Sequence, residues 1–574
     1  MQVENPNRAV ATLIIEELVR NGVSLFVVAP GNRSAPLLWG LQQRSDVTVV
    51  SAYDERSAAF FALGAAKATG QPAVVVTTSG TAVANLLPAA LEAHYDPTPL
   101  ILLTADRPWE LHHRAANQTI DQYAFLTPVV RWQGTIPAAD TQVDAAAIVH
   151  LVSTAVAAAQ FPLPGPVQLN CQFREPLHLQ PVPFQMLNSP AFEQWQNQPS
   201  AFQQWRDVPV DWQVVHREIE HWLTTARDPV VVVGGIPPFE QTAVRAMCGQ
   251  LPVPAVANIT SGLRGKLQRE LPLFDLALLH PSLWQWQPDR ILWIGGRLTS
   301  KRTLQWLTTR TAEMLHLASV PMEFNPALQR MRHYRIPLTS AVPFNIPDRP
   351  SFAERQQWIQ KVIAPFKRAL SDSLLTEATA IRTVFRQPLE EKILLLGNSI
   401  AVRDADSFVE QSMGQPVIVS NRGTSGIDGL VSTGAGAALA AGKQAVAIIG
   451  DLSALYDLNG FHFLTQLPHP MIVVVLNNGG GQIFTRVIPP VDRTDITLFV
   501  APHSYDFADV AHLFGLAYRS VDNLAALEQQ LPAVMQTQRS VLLEVKIDPD
   551  ASIRWYESLK QLGQQDNDGE ATHD

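Results

Sequence analysis

Residues 445–460 read AVAIIGDLSALYDLNG, an apolar run with the character of a buried strand that ends on a carboxylate, Asp451. An unpartnered carboxylate there is costly, so Asp451 needs a cation, a helix start or a ligand. Further along, MIVVVLNN ends on Asn477 and Asn478 and runs into Gly479, Gly480 and Gly481. The intervening SALYDLNGFHFLTQLPHP reads as a crossover helix and a loop. A βαβ unit brings the ends of two parallel strands to one sheet edge, so Asp451 and Asn478 can converge. Carboxylate, amide oxygen and a backbone carbonyl from the glycine run make a hard oxygen set. Mg²⁺ takes such a set and completes its octahedron with phosphate oxygens and water. The glycines would let backbone approach the phosphates closely. For a single strand-end acid the plainer reading is a helix N-cap, with Asn477-Asn478 a turn. Acid, paired asparagine and glycine run together favour a metal–phosphate site.

Arginines supply the second kind of chemistry. Arg33 (PGNRS), Arg107 (ADRP), Arg403 (SIAVRD) and Arg422 (NRG) each sit at or just past a strand-like run, and Lys301 and Arg302 follow WIGGRLTS. The planar guanidinium fork binds carboxylates bidentately. Taken singly, each reads as a solvated or salt-bridged surface residue; as a set in an acidic chain, they suit an anionic substrate. Asp54 and Glu55 follow the run VTVVSAYDE and open a small-residue helix. Glu55 is either a site carboxylate or a helix N-terminal acid stabilised by the dipole. Ile427, between the glycines of TSGIDG, reads as core, and His112-His113 as a surface loop between ADRP and NQTIDQ. None of the 15 histidines falls in the Asp451, Asn478, Glu55 or arginine motifs.

These residues need a scaffold, and the pattern supplies one. At 574 residues, about two to four domains are expected. Hydrophobic residues at 46% and charged residues at 17% describe a globular chain with ample core. Three segments alternate apolar strand-like runs with helical patterns, the signature of parallel α/β sheets. The runs are SLFVVAPG, VTVVSAYDE, PAVVVTTSG and PLILLTADRP; then DPVVVVGG and RILWIGG; then EKILLLGNS, PVIVSNRG, QAVAIIGD and MIVVVLNNGGG. Low-periodicity stretches near 181–210 and 338–352 read as linkers, and 561–574 as a polar tail. The expected fold is α/β, three consecutive doubly wound parallel-sheet domains spanning 1–185, 200–345 and 360–560. Ligands bind outside the carboxyl ends of strands in such sheets. The glycine pairs of VVVVGG and LWIGG lack GxGxxG, so the central domain reads as structural or regulatory.

Composition also excludes. A net charge of −9 argues against a nucleic-acid partner. Two cysteines, Cys171 and Cys248, without a CxxC pair exclude a disulfide framework or zinc ribbon and suit a reducing cytoplasm. MQVENPNRAVATLIIEELVR reads as a leading loop and an amphipathic helix without a signal-peptide core, and no apolar stretch reaches membrane-spanning length.

The order GD…NN resembles the signature of thiamine-diphosphate enzymes, with Leu452 where those read a second glycine. GDLSALYDLNG followed by NNGGGQIF is similar to the MenD family, the 2-succinyl-5-enolpyruvyl-6-hydroxy-3-cyclohexene-1-carboxylate synthases. The likeness runs through APGNRSAPL, YDERSAAFFALG, TTSGTAVANLLPA, TADRPWEL, NQTIDQ, GNSIAVRD and NRGTSGIDG. The resemblance implies that 1–185 binds the cofactor's pyrimidine and 360–560 its pyrophosphate. It implies thiamine diphosphate with Mg²⁺ or Mn²⁺, decarboxylation of 2-oxoglutarate, and 1,4-addition of the succinyl group to isochorismate in menaquinone or phylloquinone synthesis. In it, Asp451, Asn478 and Gly480 hold the metal. Glu55 activates the aminopyrimidine at N1′, and the cofactor is lined by Ser399, Gly426, Gly450, Leu452, Ser453 and Gln482. Ile427 is its wedge, and Ile483 and Phe484 its wall. Arg403, Arg422 and Ser399 face the succinyl carboxylate. Arg33, Arg107, Asn117 and Gln118 face isochorismate, with Asn32 where the family often has Ser. Lys301 and Arg302 reach substrate or join the domains. Glu55 and Asp451 come from different subunits, which implies a homodimer at minimum and a homotetramer as the fuller assembly. The rivals are another thiamine-diphosphate 2-oxo acid decarboxylase or carboligase, of the acetohydroxyacid synthase kind, and a silent cofactor-binding regulatory protein.

Overall fold

Aliphatic runs that end in small or polar residues pair into three sheets, every strand pair of which is parallel. The computed structural model describes residues 5–177, 184–205, 212–321, 325–340, 342–370, 374–488 and 496–565. The first sheet holds β1 (Leu25–Val28), β2 (Thr48–Ser51), β3 (Ala73–Thr77), β4 (Leu100–Asp106), β5 (Trp132–Ile136) and β6 (Pro166–Gln172), in the order β2-β1-β3-β4-β6-β5. The second holds β7 (Pro229–Val233), β8 (Ala255–Ala257), β9 (Arg290–Ile294), β10 (Glu313–Ala318) and β11 (Met331–Arg335), in the order β11-β10-β9-β7-β8. The third holds β12 (Ile393–Leu396), β13 (Val417–Val419), β14 (Ala445–Gly450), β15 (Met471–Asn477), β16 (Ala517–Val521) and β17 (Val541–Lys546), in the order β13-β12-β14-β15-β17-β16. Renumbered from its first strand, the third sheet repeats the order of the first. Three parallel α/β sheets are the expected fold class.

Residues Met1–Val208, Asn421–Ala441 and Asn459–Phe463 form one compact unit, and the remainder forms a second that contains the other two sheets. In the first unit, helix Glu55–Thr69 crosses helix Leu430–Ala441. The crossing depends on two glycines. A Cβ at Gly64 would lie 2.0 Å from the Thr433 carbonyl oxygen, and one at Gly436 would lie 1.9 Å from that of Phe61. The backbones therefore touch where any side chain would force them apart. Cores of aliphatic residues fill each unit.

The linker reading of 181–210 is corrected in part. Within it, Ser189 caps the short helix Pro190–Gln196, whose Phe192 and Trp195 join the first core. The 338–352 stretch opens on a 3-10 turn, Leu338–Ser340, and ends in the first residues of helix Pro350–Ala369. Of the expected polar tail, helix Pro549–Gln565 extends into its first residues and 566–574 lie outside the described residues. Among the described residues no helix is long and apolar enough to cross a membrane.

Replacing Gly436 by Ala should force the two helices apart and cost about 1–3 kcal/mol, the usual range for overpacking. A fall in the thermal midpoint of the variant checks this; an unchanged midpoint would show that the crossing relaxes freely.

Candidate active site

In the third sheet the strand order reverses between β12 and β14, and such a switch point leaves a crevice at the carboxyl edge. Ser399 follows β12 and Asp451 follows β14, so both border it. Asp451 is 2% exposed. One carboxylate oxygen accepts the Leu452 N–H at 2.7 Å; the other accepts those of Gly480 at 2.9 Å and Asn478 at 3.2 Å. The two strand ends thus meet at one carboxylate, as the spacing predicts. Burial pushes the Asp451 carboxyl above its ordinary pKa, against the pull of these N–H groups and of His503.

His503 was not singled out by the sequence. Its Nε2 lies 3.3 Å from the Asp451 Oδ2 and is buried without a hydrogen-bond partner. Its Nδ1 accepts the Tyr505 N–H at 3.2 Å, which leaves Nε2 as the ring's donor, facing Asp451. The segment bearing it closes over the glycine run: Gly481 N–H donates to the Val500 carbonyl at 2.6 Å and His503 N–H to the Gly479 carbonyl at 3.2 Å. Gly480 stands at φ +136, and a Cβ there would meet the Val500 carbonyl at 2.5 Å. At Gly450, by contrast, a Cβ would meet nothing within 4 Å. A buried orphan donor, an acidic strand end and an open cradle beside Gly450 fit a metal-bound phosphate group.

Asn478 is buried, and its Nδ2 donates to Glu377 Oε1 at 2.6 Å, which leaves Oδ1 for another partner. Glu377 is held in turn by Arg486 at 3.2 Å and by Ser552, and Arg486 also pairs with Asp404 at 2.6 Å. Burial opposes the charge on Arg486, but Asp404 and Glu377 more than offset it and hold its pKa above the ordinary value. Asp404, fully enclosed, is pushed up to about 6 by burial despite Arg486. Leu452 and Ser453 lie in the first turn of helix Asp451–Tyr456. Gln482 reaches back to the Asn478 carbonyl at 3.3 Å, and Ile483 and Phe484 open helix Ile483–Val487, with Phe484 packed on Phe499. Ser399 has φ +66, a strained value for a residue with a side chain, and its carbonyl accepts from exposed Arg403 at 2.7 Å.

In the first unit, Glu55 is the first residue of its helix, half-buried, with Asn85 Nδ2 at 3.4 Å; Asp54 caps the helix and also accepts from Asn459 at 2.7 Å. The loop 421–429 carries Arg422, Gly426 and Ile427. Glu92, 1% exposed, anchors it by accepting the Gly423 N–H at 2.9 Å and the Thr424 N–H at 2.7 Å. Arg33 and Arg107, each 7% exposed, end the loops after β1 and β4. Arg33 donates to the Phe173 carbonyl at 2.7 Å and to Glu175 at 2.9 Å, while its Nε is buried without a partner. Arg107 donates to Ser79 and, at 3.1 Å, to the Gln118 carbonyl. Burial, and then neighbouring Arg33, lowers the Arg107 guanidinium below its ordinary pKa. Two close buried cations favour an anion beside them.

Asn32 opens the same short turn as Arg33, and Asn117 and Gln118 lie on an exposed loop, Gln118 at φ +52. His112 faces buried Asp106 at 3.4 Å, whereas His113 is exposed. Lys301 is exposed, and Arg302 is engaged by Asp275 at 3.0 Å within the same central region. The central glycine loops are tied together: Gly296 N–H donates to the Gly235 carbonyl, and Gly234 N–H to that of Ile294 at the end of β9, both at 2.8 Å. Their switch point is therefore filled by backbone. Ser79 was legible as a strand-end residue; Glu377, Arg486 and Glu92 gave no sequence signal, because their partners are remote in the chain.

Three family descriptions match successive parts of the chain: thiamine pyrophosphate enzyme, N-terminal TPP binding domain, over residues 8–125; middle domain of thiamine pyrophosphate, over 188–396; and thiamine pyrophosphate enzyme, C-terminal TPP binding domain, over 410–545. The 2-succinyl-5-enolpyruvyl-6-hydroxy-3-cyclohexene-1-carboxylate synthase of Rubrobacter xylanophilus is 38% identical over 528 residues, 89% of this chain and 90% of the relative. The synthases of the same name from Chlorobium chlorochromatii and Salinibacter ruber are each 34% identical, covering 93% and 96% of this chain and 94% and 95% of theirs. The chain belongs to the 2-succinyl-5-enolpyruvyl-6-hydroxy-3-cyclohexene-1-carboxylate synthase family of thiamine pyrophosphate enzymes.

Proposed function

We propose that the chain is a thiamine-diphosphate- and Mg²⁺-dependent synthase that decarboxylates 2-oxoglutarate and adds the succinyl group to isochorismate, in menaquinone or phylloquinone synthesis. The observation that carries this is the convergence of Asp451, Asn478 and the Gly479–Gly481 backbone, with the His503 donor facing them. Asp451, the Asn478 Oδ1 and the Gly480 carbonyl would hold Mg²⁺, a hard oxygen set that leaves room for phosphate oxygens. When bound, thiamine diphosphate supplies a nucleophilic thiazolium carbon and an electron sink. Ser399, Gly426, Gly450, Leu452, Ser453 and Gln482 would line the cofactor, Ile427 would press against it as a wedge, and Ile483 and Phe484 would wall it.

Glu55 holds a proton at the aminopyrimidine N1′. Arg403 and Arg422, with Ser399, hold the far carboxylate of 2-oxoglutarate. Arg33 and Arg107, with Asn32, Asn117 and Gln118, hold isochorismate; their mutual repulsion supports an anion there. Decarboxylases of small neutral side chains have no use for such a pair. Lys301 and Arg302 reach substrate or join the domains. The same reading divides the chain into pyrimidine-binding 1–185, central 200–345 and pyrophosphate-binding 360–560 regions. It makes the protein a cytoplasmic homodimer at least, Glu55 of one protomer serving its partner's site. Both cysteines are buried and free.

The direct test is to incubate the protein, Mg²⁺ and thiamine diphosphate with 2-oxoglutarate, with and without isochorismate, and to follow carbon dioxide and adduct by mass spectrometry. Preference for pyruvate would favour the acetohydroxyacid synthase kind. Asp451→Ala should abolish Mg²⁺-dependent retention of thiamine diphosphate in equilibrium dialysis, and normal retention would return Asp451 to a helix-capping role. Glu55→Gln should retain cofactor yet lower turnover about 10²–10⁴-fold, the range for a positioned proton-transfer group. Unchanged turnover would remove Glu55 from the chemistry. Arg107→Ala should cost about 1.5–3 kcal/mol in kcat/KM for isochorismate while sparing carbon dioxide release from 2-oxoglutarate alone. Loss confined to the release step would place Arg107 at the other substrate.

A further inference from the structure

An amide ligand offers a metal either an oxygen or an NH₂ group, and something must decide which. Around Asn478 that decision is visible. Its side-chain nitrogen lies 2.6 Å from Glu377 Oε1, and an ionised carboxylate only accepts, so the atom facing it must be Nδ2. The second carboxylate oxygen of Glu377 is already engaged by the Arg486 guanidinium at 3.2 Å and by the Ser552 hydroxyl. Glu377 is 1% exposed and Ser552 2%. Arg486 is locked by Asp404 at 2.6 Å and lies 4.7 Å over the Tyr556 ring. Glu377 itself is pinned as the first residue of helix Glu377–Phe385, where Thr376 and Thr379 form a reciprocal cap. All these groups belong to the second unit.

We propose that Glu377 is a positioning residue that fixes the Asn478 amide with Oδ1 turned to the metal, the Arg486–Asp404 pair holding the carboxylate in place. This rests on the reading of Asp451 and Asn478 as the metal site. The arrangement makes an unusual demand of the isosteric variant Glu377→Gln. Its one carbonyl oxygen remains with the two donors, Arg486 and Ser552, so its NH₂ group turns to Asn478. Asn478 must then flip, presenting Oδ1 to Gln and NH₂ to the metal. Asn478→Asp alone sets two carboxylates against each other. In the double variant, a carboxylate at position 478 accepts from Gln and still offers oxygen to the metal.

The test titrates Mn²⁺ into each protein with thiamine diphosphate present and reads free Mn²⁺ by electron paramagnetic resonance. Glu377→Gln should weaken binding about 10–100-fold, as other orienting partners of metal ligands do. Adding Glu377→Gln to Asn478→Asp should tighten it, a reversal of sign that a merely structural role would not produce. If Glu377→Gln alone fails to fold, comparing Asn478→Asp with the double variant still decides. Wild-type binding by Glu377→Gln, or a double variant no tighter than Asn478→Asp, would overturn the proposal. Asp451→Ala separates the two layers: if it leaves Mn²⁺ binding intact, the metal site itself is misplaced. If it abolishes binding while Glu377→Gln does nothing, only the positioning role is lost.

Discussion

A carboxylate buried at the end of β14 has to be neutralised, and the rest of the second unit's site is arranged around that need. Asp451 gathers three backbone N–H groups, two of them from the end of the neighbouring strand, and faces the unpartnered Nε2 of His503. Hydrogen bonds from neutral amides reduce the cost of the charge but do not remove it, and burial still raises the carboxyl's pKa. A divalent cation removes it outright, and the phosphates that accompany the cation satisfy donors left over at the same edge. Relief of the cost of burying Asp451 thus contributes to cation binding at the site.

The second constraint is topological. The first and third sheets share one strand order, and in each the reversal places candidate site residues on adjacent loops. In the third sheet these are Ser399 and Asp451; in the first, the Arg33 loop and the Ser79 loop, where Gly31 packs directly on Thr78. The central sheet has its own reversal between β7 and β9, but its glycine loops close on each other. An open crevice leaves room for a ligand, and a crevice filled by backbone does not. Arg302 is matched by Asp275, whereas burial and Arg33 lower the Arg107 guanidinium against the pull of Asp106 and Glu175.

What the sequence makes legible is local. Three-to-seven-residue apolar runs followed by Asp, Asn or Gly announced β1 to β4, β7, β9 and β12 to β15 together with their candidate site ends. Strands with polar or aromatic interruptions escaped: WQGTI in β5, MRHYR in β11 and AYRSV in β16 alternate too weakly to stand out. The helix Pro190–Gln196 was hidden in a proline- and glutamine-rich stretch because its stability comes from docking Phe192 and Trp195, a tertiary effect. Glu377 and Asn478 are separated by 101 positions, and His503 follows the glycine run by more than twenty. Nothing in residue type or spacing joins such pairs; the sheet does.

The most direct test of this account is a crystal structure of the protein grown with Mg²⁺ and thiamine diphosphate. The account places the ion about 2.1 Å from an Asp451 carboxylate oxygen, the Asn478 Oδ1 and the Gly480 carbonyl, the usual Mg²⁺–oxygen separation. An ion held by a different set of residues, or a site in which Asp451 remains bonded only to backbone N–H groups, would contradict it.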